Sequence, residues 1–512
     1  MSPVRKSIYL INPKAEPQPY FGADVYEASG FQGALLVADL ALVTVAAFIP
    51  DTFDVYLCDE HVDAVDLDFS ADYVALTGKS SQVPRLLHLA QAFRQRGLIV
   101  IIGGPVASLD SDLVRASCHI LVRGEIEDIA SRLFSDLHAG CWQAEYVGDK
   151  PSLARTPIPR WELYPNDRAI LGAVQTSRGC PFECEFCDVP TYAGRRQRRK
   201  SPEQVLAELD VLYGLGYRSI FLADDNFTAS RQQAKELLAA MAWWNRCHGD
   251  GPVAFSTQLS LDASKDDEIL RLCAESGVSS VFIGLETINE DSLRETNKRQ
   301  NIGLDMVTQI GRFLDHHIMV ISGMIIGFDA DGPGIFEQQR QFVQAAPIPI
   351  FSLGALIAPS GTPLYDRMAG QGRIMPVQRH DHLSSATPWQ TNIIPHLMSR
   401  DDLLDGVWTL AGQIYHPEAF GERMLHMLRR LGPYQGPRPS GNQAGPFRQT
   451  GLMRETTALV KALAARGPEE KAMVARIGRY VLDHRPETLA LVQTCLRFYA
   501  QIRHVYATCQ RD

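Results

Sequence analysis

Three cysteines stand within eight residues in the run Ser177-Arg178-Gly179-Cys180-Pro181-Phe182-Glu183-Cys184-Glu185-Phe186-Cys187, spaced Cys-x₃-Cys-x₂-Cys. Thiolates that close together on one loop converge on a metal, and soft sulfur ligands select an iron–sulfur cluster or zinc. A zinc site needs a fourth ligand, and the next Cys and His downstream, Cys247 and His248, fall at the end of a predicted helix. Three thiolates on a cubic [4Fe–4S] cluster leave one iron open to a substrate or cofactor, which gives Cys180, Cys184 and Cys187 a chemical purpose. Further polar residues cluster at predicted strand ends: Asp224-Asp225-Asn226, Ser256-Thr257-Gln258 and Gly284-Leu285-Glu286. An acidic residue at such a place caps a helix or pairs with a cation more often than it binds a ligand; the triplet in the preceding turn raises the functional reading.

These residues need elements to hold them. The triplet follows the first of six apolar runs, Ala173–Ser177, Ser219–Ala223, Val253–Leu259, Ser280–Leu285, Ile318–Ile326 and Ile350–Ile357. Helical patterns such as Pro202–Leu215 and Arg231–Cys247 separate them, so residues 173–370 read as a partial (β/α)₆ barrel of TIM type, with active residues at the strand C-termini. Residues 1–140 carry five shorter runs, Ile8–Ile11, Val55–Cys58, Tyr73–Leu76, Ile99–Ile102 and His119–Val122, again alternating with helices. That is the pattern of a doubly wound, Rossmann-like parallel sheet, which binds ligands at its strand C-termini. The loops there are small and glycine-rich: Thr77-Gly78-Lys79-Ser80-Ser81-Gln82, Gly103-Gly104-Pro105 and Gly124-Glu125. Residues 141–172, with four prolines, read as a linker, and 371–512 as a helical C-terminal domain interrupted by the Gly- and Pro-rich stretch Gly432–Phe447.

Composition limits the possible functions. The 512 residues suit about three domains. The fraction that is hydrophobic, 45%, and the fraction charged, 21%, are those of a folded globular chain. A net charge of −9 argues against a general affinity for nucleic acid or anionic lipid. Ten cysteines are too few for a disulfide scaffold. The N-terminus lacks the apolar core of a signal peptide, and no window is long and apolar enough to span a membrane, so a cytoplasmic location with reduced thiols is expected.

With the spacing of Cys180, Cys184 and Cys187, and Phe186 just before the third cysteine, the sequence resembles the radical S-adenosylmethionine (SAM) superfamily. The resemblance implies that the three cysteines ligate a [4Fe–4S] cluster whose open iron binds SAM, and that reduction cleaves SAM to a 5′-deoxyadenosyl radical. It assigns Phe186, Asp224, Asp225, Asn226, Gln258, Glu286 and Ile326 to the SAM site. Asp224-Asp225-Asn226 replaces the Gly-Gly-Glu-type segment of the family, which leaves the contact to the SAM amino group open among the three.

A doubly wound domain ahead of such a barrel is similar to the cobalamin-binding class of the superfamily. The resemblance places Thr77, Gly78, Lys79, Ser80, Ser81, Gln82, Gly103, Gly104, Pro105, Gly124 and Glu125 around the corrin and its nucleotide tail. The Asp-x-His-x-x-Gly motif of other cobalamin proteins is absent; the nearest approach is Asp59-Glu60-His61, and His61 is expected to be an ordinary loop residue. Lys79 either lies near the lower corrin face or points to solvent.

The implied activity is methylation of an unactivated carbon of a small-molecule or lipid-like substrate, with electrons from a flavodoxin or ferredoxin. The alternatives are a non-methylating radical rearrangement, cyclisation or oxidation, a non-catalytic cobalamin sensor, and an RNA methylthiotransferase. The last needs a second cluster, for which Cys58, Cys118 and Cys141 are scattered. The basic run Arg195, Arg196, Arg198, Arg199, Lys200 is expected to be a solvated surface or a docking site for an acidic electron donor. Trp389, Trp408, Tyr415 and Phe420 read as core, or as the lining of an apolar channel.

Overall fold

The computed structural model describes residues 5–15, 25, 35–248, 251–375, 390–438 and 446–508. Two parallel sheets organise it. The first has the order β3-β1-β4-β5-β6-β7, from β1 (Lys6–Asn12), β3 (Phe53–Asp59), β4 (Tyr73–Thr77), β5 (Ile99–Gly103), β6 (Ile120–Arg123) and β7 (Glu145–Val147). Helices α1 (Leu40–Phe48), α2 (Val83–Gln95) and α3 (Ala130–Ala139) cover its two faces. Two apolar cores follow, one containing Ile8, Leu10, Phe53 and Phe134, the other Tyr9, Ile11, Val74 and Phe93. Alternate residues of β1 thus enter opposite cores, the expected result of a strand covered on both sides.

The second sheet is curled and has the order β15-β14-β13-β12-β11-β8-β2. Its strands are β2 (Leu35–Val37), β8 (Ala169–Val174), β11 (Ser219–Leu222), β12 (Ala254–Leu259), β13 (Val278–Glu286), β14 (Met319–Ile326) and β15 (Ile350–Ala355). Outside it pack α4 (Pro202–Gly214), α5 (Arg231–Cys247), α6 (Asp267–Ser276), α7 (Met306–Asp315) and α8 (Ile335–Ala345). The six expected barrel strands are present. The seventh, β2, comes from within residues 1–140 and pairs with β8, Leu35 opposite Ala169, so the barrel's edge is completed from the N-terminal segment. Three residues are too short for a periodicity signal, and only the pairing reveals them.

The segment 141–172 does more than link. Leu153, Trp161 and Tyr164 are buried, and the Tyr164 hydroxyl reaches Asp59 Oδ2 at 2.7 Å. Its prolines interrupt helices without preventing burial of the aromatic rings between them.

After α9 (Pro363–Gly370), the expected helical C-terminal region forms, with α10 (Arg400–Ile414), α11 (Pro417–Arg430), α12 (Pro446–Ala464), α13 (Pro468–His484) and α14 (Leu489–Thr508). They share one apolar core with the barrel, in which Tyr415 and Phe420 are buried and Phe420 stacks on Tyr499 at 4.3 Å. Trp408 meets Tyr506 at 5.2 Å, whereas Trp389 lies outside the described residues. None of the described helices is long and apolar enough to cross a membrane.

Candidate active site at the barrel mouth

The cysteine loop leaves β8 through Gly179, whose φ of +94° and whose close approach to the Gly194 and Arg196 carbonyls exclude a side chain. Cys180 N donates to Gly194 O at 3.1 Å, Glu185 N to Thr296 O at 3.0 Å, and Cys187 N to Cys184 O at 3.1 Å. The loop is thereby tied both to itself and to the segment after β13. Cys184 is buried, and Cys180 and Cys187 are half-buried. Burial pushes the Cys180 thiol up and the Cys187 thiol up to about 12. Gln300 Nε2 approaches Cys184 Sγ at 3.5 Å.

A mononuclear zinc site draws every thiolate to about 2.3 Å from one ion. A cube instead holds each thiolate at a separate corner, and three reduced thiols on one backbone-braced loop fit that larger group. The chain's next residues, Asp188 and Tyr192, already line the main cavity. Cys58, Cys118 and Cys141 do not gather into a metal-holding group among the described residues.

Lys298 is a site residue that sequence reasoning missed. Its Nζ lies 3.0 Å from Glu286 Oε1 and 5.8 Å from the centre of the Phe186 ring. Burial alone would lower its pKa, but the Glu286 carboxylate and the neighbouring Cys184 and Cys187 outweigh burial and raise it. Glu286 ends β13 at φ 67°, a left-handed conformation costly for a non-glycine residue, beside a register shift between β13 and β14. A lone lysine twelve residues downstream of Glu286 belongs to no motif; the fold brings the two together.

The run 224–226 divides. The Asp224 carboxylate is enclosed and fully used, accepting from Thr176 N at 2.7 Å, Ser177 N at 2.9 Å, Ser177 Oγ at 2.9 Å and the Thr176 hydroxyl. Asn226 is buried, its Nδ2 donating to Ser260 Oγ at 2.8 Å. Asp225 alone lines the cavity; it accepts from Gly179 N at 3.0 Å, and burial pushes it up to about 6. Gln258 also lines the cavity. Phe186 packs on Phe328 at 5.9 Å, and Ile326 is buried at the end of β14, where its carbonyl accepts from Leu356 N at 2.8 Å.

The opposite wall belongs to the first sheet. Thr77, Lys79, Ser80, Ser81, Gly103, Gly104 and Pro105 line the same cavity, whose volume is about 2080 Å³. Gly104 adopts φ +87°, and a Cβ there would stand 2.5 Å from Thr77 Oγ1. Bare backbone at this edge lets a large planar ligand approach. Gly78 is closed off by Leu86, and Gln82, although it borders the cavity, spends its amide on Asn12 Oδ1 at 2.7 Å and Pro13 O at 2.6 Å. Gly124 turns at φ +74° against Gly148.

His61 is occupied at both nitrogens: Nε2 accepts from Ala15 N at 3.2 Å, which makes Nδ1 the donor to Asp59 Oδ1 at 3.0 Å. It has no lone pair to offer a metal, as expected of a loop residue.

Two expectations change. Glu125 borders the cavity, but its carboxylate is committed to cations: Arg178 Nη1 at 2.8 Å, and Arg198 Nη1 at 2.7 Å and Nη2 at 2.5 Å. The basic run is not one solvated surface. Arg198 is paired as described, Arg199 is half-buried and donates to Phe227 O at 2.5 Å, and Lys200 is buried against Glu208. Only Arg195 and Arg196 are exposed, and Arg195 pairs with Glu183. Burial follows from the short antiparallel pairing of Arg198–Arg199 with Ser177–Arg178, which charge counting cannot detect.

Residues 174–330 match the radical SAM superfamily, and residues 362–508 a domain family of unknown function. The chain is 31% identical over 411 residues to an uncharacterised methyltransferase of Synechocystis, covering 78% of this chain and 74% of that protein. It is 30% identical over 396 residues to the hopanoid C-2 methylase of Rhodopseudomonas palustris, covering 76% and 73%. In fold it is similar to OxsB, a cobalamin-dependent SAM radical enzyme solved with aqua-cobalamin and SAM, with a TM-score of 0.60 at 16% identity over 98% of this chain and 80% of that one. With a cysteine loop at the mouth of a parallel half-barrel, a glycine-lined sheet edge facing it and relatives of this extent, the chain belongs to the radical SAM superfamily, among its methyltransferase-like members.

Proposed function

We propose that the chain methylates an unactivated carbon of a small-molecule or lipid-like substrate. The observation that carries this reading is the single cavity bounded by the Thr77–Ser81 and Gly103–Pro105 loops on one side and by Asp225 and Gln258 at the barrel mouth on the other. Two cofactor seats that open on one space can act on one substrate carbon. When bound, the cluster, SAM and cobalamin supply hydrogen-atom abstraction and a methyl donor. The chain supplies binding, orientation and exclusion of water.

In this reading Cys180, Cys184 and Cys187 hold the cluster, and Lys298 holds Phe186 and Glu286 in place behind it. Asp225 receives the SAM amino group, because Asp224 is saturated by Thr176 and Ser177 and neither it nor Asn226 lines the cavity. Gln258, Glu286 and Ile326 shape the remainder of the SAM seat. Thr77, Lys79, Ser80, Ser81, Gly103, Gly104 and Pro105 face the corrin, while Gly78, Gln82, Gly124 and Glu125 fix the loops that carry them. A flavodoxin- or ferredoxin-type donor docks beside the cysteine loop at Arg195 and Arg196.

The test is anaerobic reconstitution followed by incubation of candidate substrates with methyl-labelled SAM. A product heavier by one labelled methyl group, formed together with 5′-deoxyadenosine, is expected. An unlabelled rearranged product would move the assignment to non-methylating chemistry. Failure to form 5′-deoxyadenosine with the cluster intact would overturn the radical reading.

A further inference from the structure

Central strands of a parallel sheet covered on both faces are buried along their whole length. The barrel strands here depart from that rule. In β12, Phe255, Thr257 and Leu259 are buried, Ser256 and Gln258 are half-buried, and Ala254 is exposed. In β11, Ile220 and Leu222 are buried, whereas Ser219 and Phe221 are not. The buried set packs outward on the helices, as Phe255 does on Trp244 at 6.4 Å. Period-two alternation puts the other set in the lumen.

The cavity that opens at the mouth continues down this lumen. Its wall runs from Asp225 and Gln258 at the top, past Phe221, Phe282 and Ile321, to Ala254 at the first residue of β12. A six-residue strand spans about 20 Å, so the shaft extends a full strand length below the reacting centre. Closed (β/α)₈ barrels fill their interior with bulky branched side chains. At the lower end of this one stand Ser219, Ala254 and Ser280, too small to do so. The floor is α14, which crosses the strand N-termini with Cys495 Sγ 3.2 Å from Met319 Sδ at the start of β14. It presents Leu491 and Phe498 to the cavity, together with the polar Gln493, Thr494 and Arg497.

The lumen is therefore polar where cofactors would sit, apolar at mid-height where Phe221, Phe282 and Ile321 face it, and lined again by small and polar side chains at its lower end. We propose that this shaft seats the apolar body of the substrate, which is an elongated, largely hydrocarbon molecule whose reacting carbon is held at the mouth. A compact polar metabolite would leave water against Phe221, Phe282 and Ile321, an unfavourable arrangement that a hydrocarbon body removes. The inference rests on the methylation reading only for which end of the molecule reacts.

The full-length protein, with and without reconstituted cofactors, is titrated with cis-parinaric acid, a fluorescent long-chain polyene. Saturable binding of one molecule per chain is expected, weakened at least about tenfold by Ala254→Trp, which fills the lower shaft. A long-chain alkyl diazirine is expected to cross-link within residues 219–222, 254–258 and 490–498 of the unmodified chain, a readout that survives if the Trp variant fails to fold. Absence of saturable binding, undiminished binding by a folded Ala254→Trp variant, or cross-links confined to the outer surface would overturn the proposal. Binding in the shaft without methyl transfer would overturn the methylation reading alone, and methylation of a compact polar substrate with the shaft unlabelled would overturn the hydrocarbon-body inference alone.

Discussion

Arg178, two residues before the first cysteine of the triplet, places Nη1 2.8 Å from Glu125 Oε2, a carboxylate carried by the loop that follows β6 of the other sheet. Arg198 joins the same carboxylate through two hydrogen bonds, and Glu127 adds a second carboxylate to Arg178 at 2.6 Å. All four side chains are at most 16% exposed. The two halves of the cavity are thus set against each other by charge as well as by packing.

Removing one partner of an enclosed ion pair leaves its counterpart buried and uncompensated, which costs about 3–5 kcal/mol. Because Glu127 still faces Arg178, Glu125→Gln is expected to cost less, about 2 kcal/mol. Chemical denaturation checks the stability, and cluster content after reconstitution is expected to fall with it.

Asp224 and Asp225 are expected to respond in opposite ways. Asp224→Asn sets an amide against donors that now serve a carboxylate, at a cost of about 2 kcal/mol in unfolding free energy. Asp225→Asn leaves the fold intact and weakens SAM binding at least about tenfold, measured by calorimetry on the reconstituted protein.

The pH dependence of Asp225 has a definite sign. Its carboxyl is raised from 3.8 to about 6 in the folded chain, so between those values the folded state holds a proton that the unfolded state releases. Its contribution is full below about 4 and is lost as pH rises through about 6, a change on the order of 3 kcal/mol. The cluster-free Asp225→Asn chain is expected to lack this slope and to be the more stable of the two above pH 6. Urea midpoints measured across pH 4–8 decide it.

Gly104→Ala meets both a positive φ and the Thr77 hydroxyl. A cost of about 1–3 kcal/mol is expected, together with loss of cobalamin binding followed by absorbance after gel filtration. Retained cobalamin binding would place the corrin elsewhere.

Reversing charge at Arg195 and Arg196 is expected to slow reduction by flavodoxin about tenfold at low ionic strength, with the difference vanishing at high salt. Stopped-flow reduction at two salt concentrations measures it. An unchanged rate would remove this face as the donor's approach.

Patterns local in the chain were legible from the sequence alone. Apolar runs alternating with helices required parallel sheets, because each strand must bury at least one apolar face under the helices that follow it. The spacing of Cys180, Cys184 and Cys187 marked them as candidate ligands of one group, since eight residues of loop cannot keep three thiols far apart. Relations between distant segments were decided only by tertiary structure. Leu35–Val37 became a barrel strand through pairing with Ala169–Leu171. Arg198 and Lys200 became interior ions because Glu125 and Glu208 were folded onto them. Asp225, rather than Asp224, was left facing the cavity because the donors of Thr176 and Ser177 saturate its neighbour. Composition and periodicity report which faces of an element avoid water. Which charge meets which depends on contacts between residues tens of positions apart, and those exist only in the folded chain.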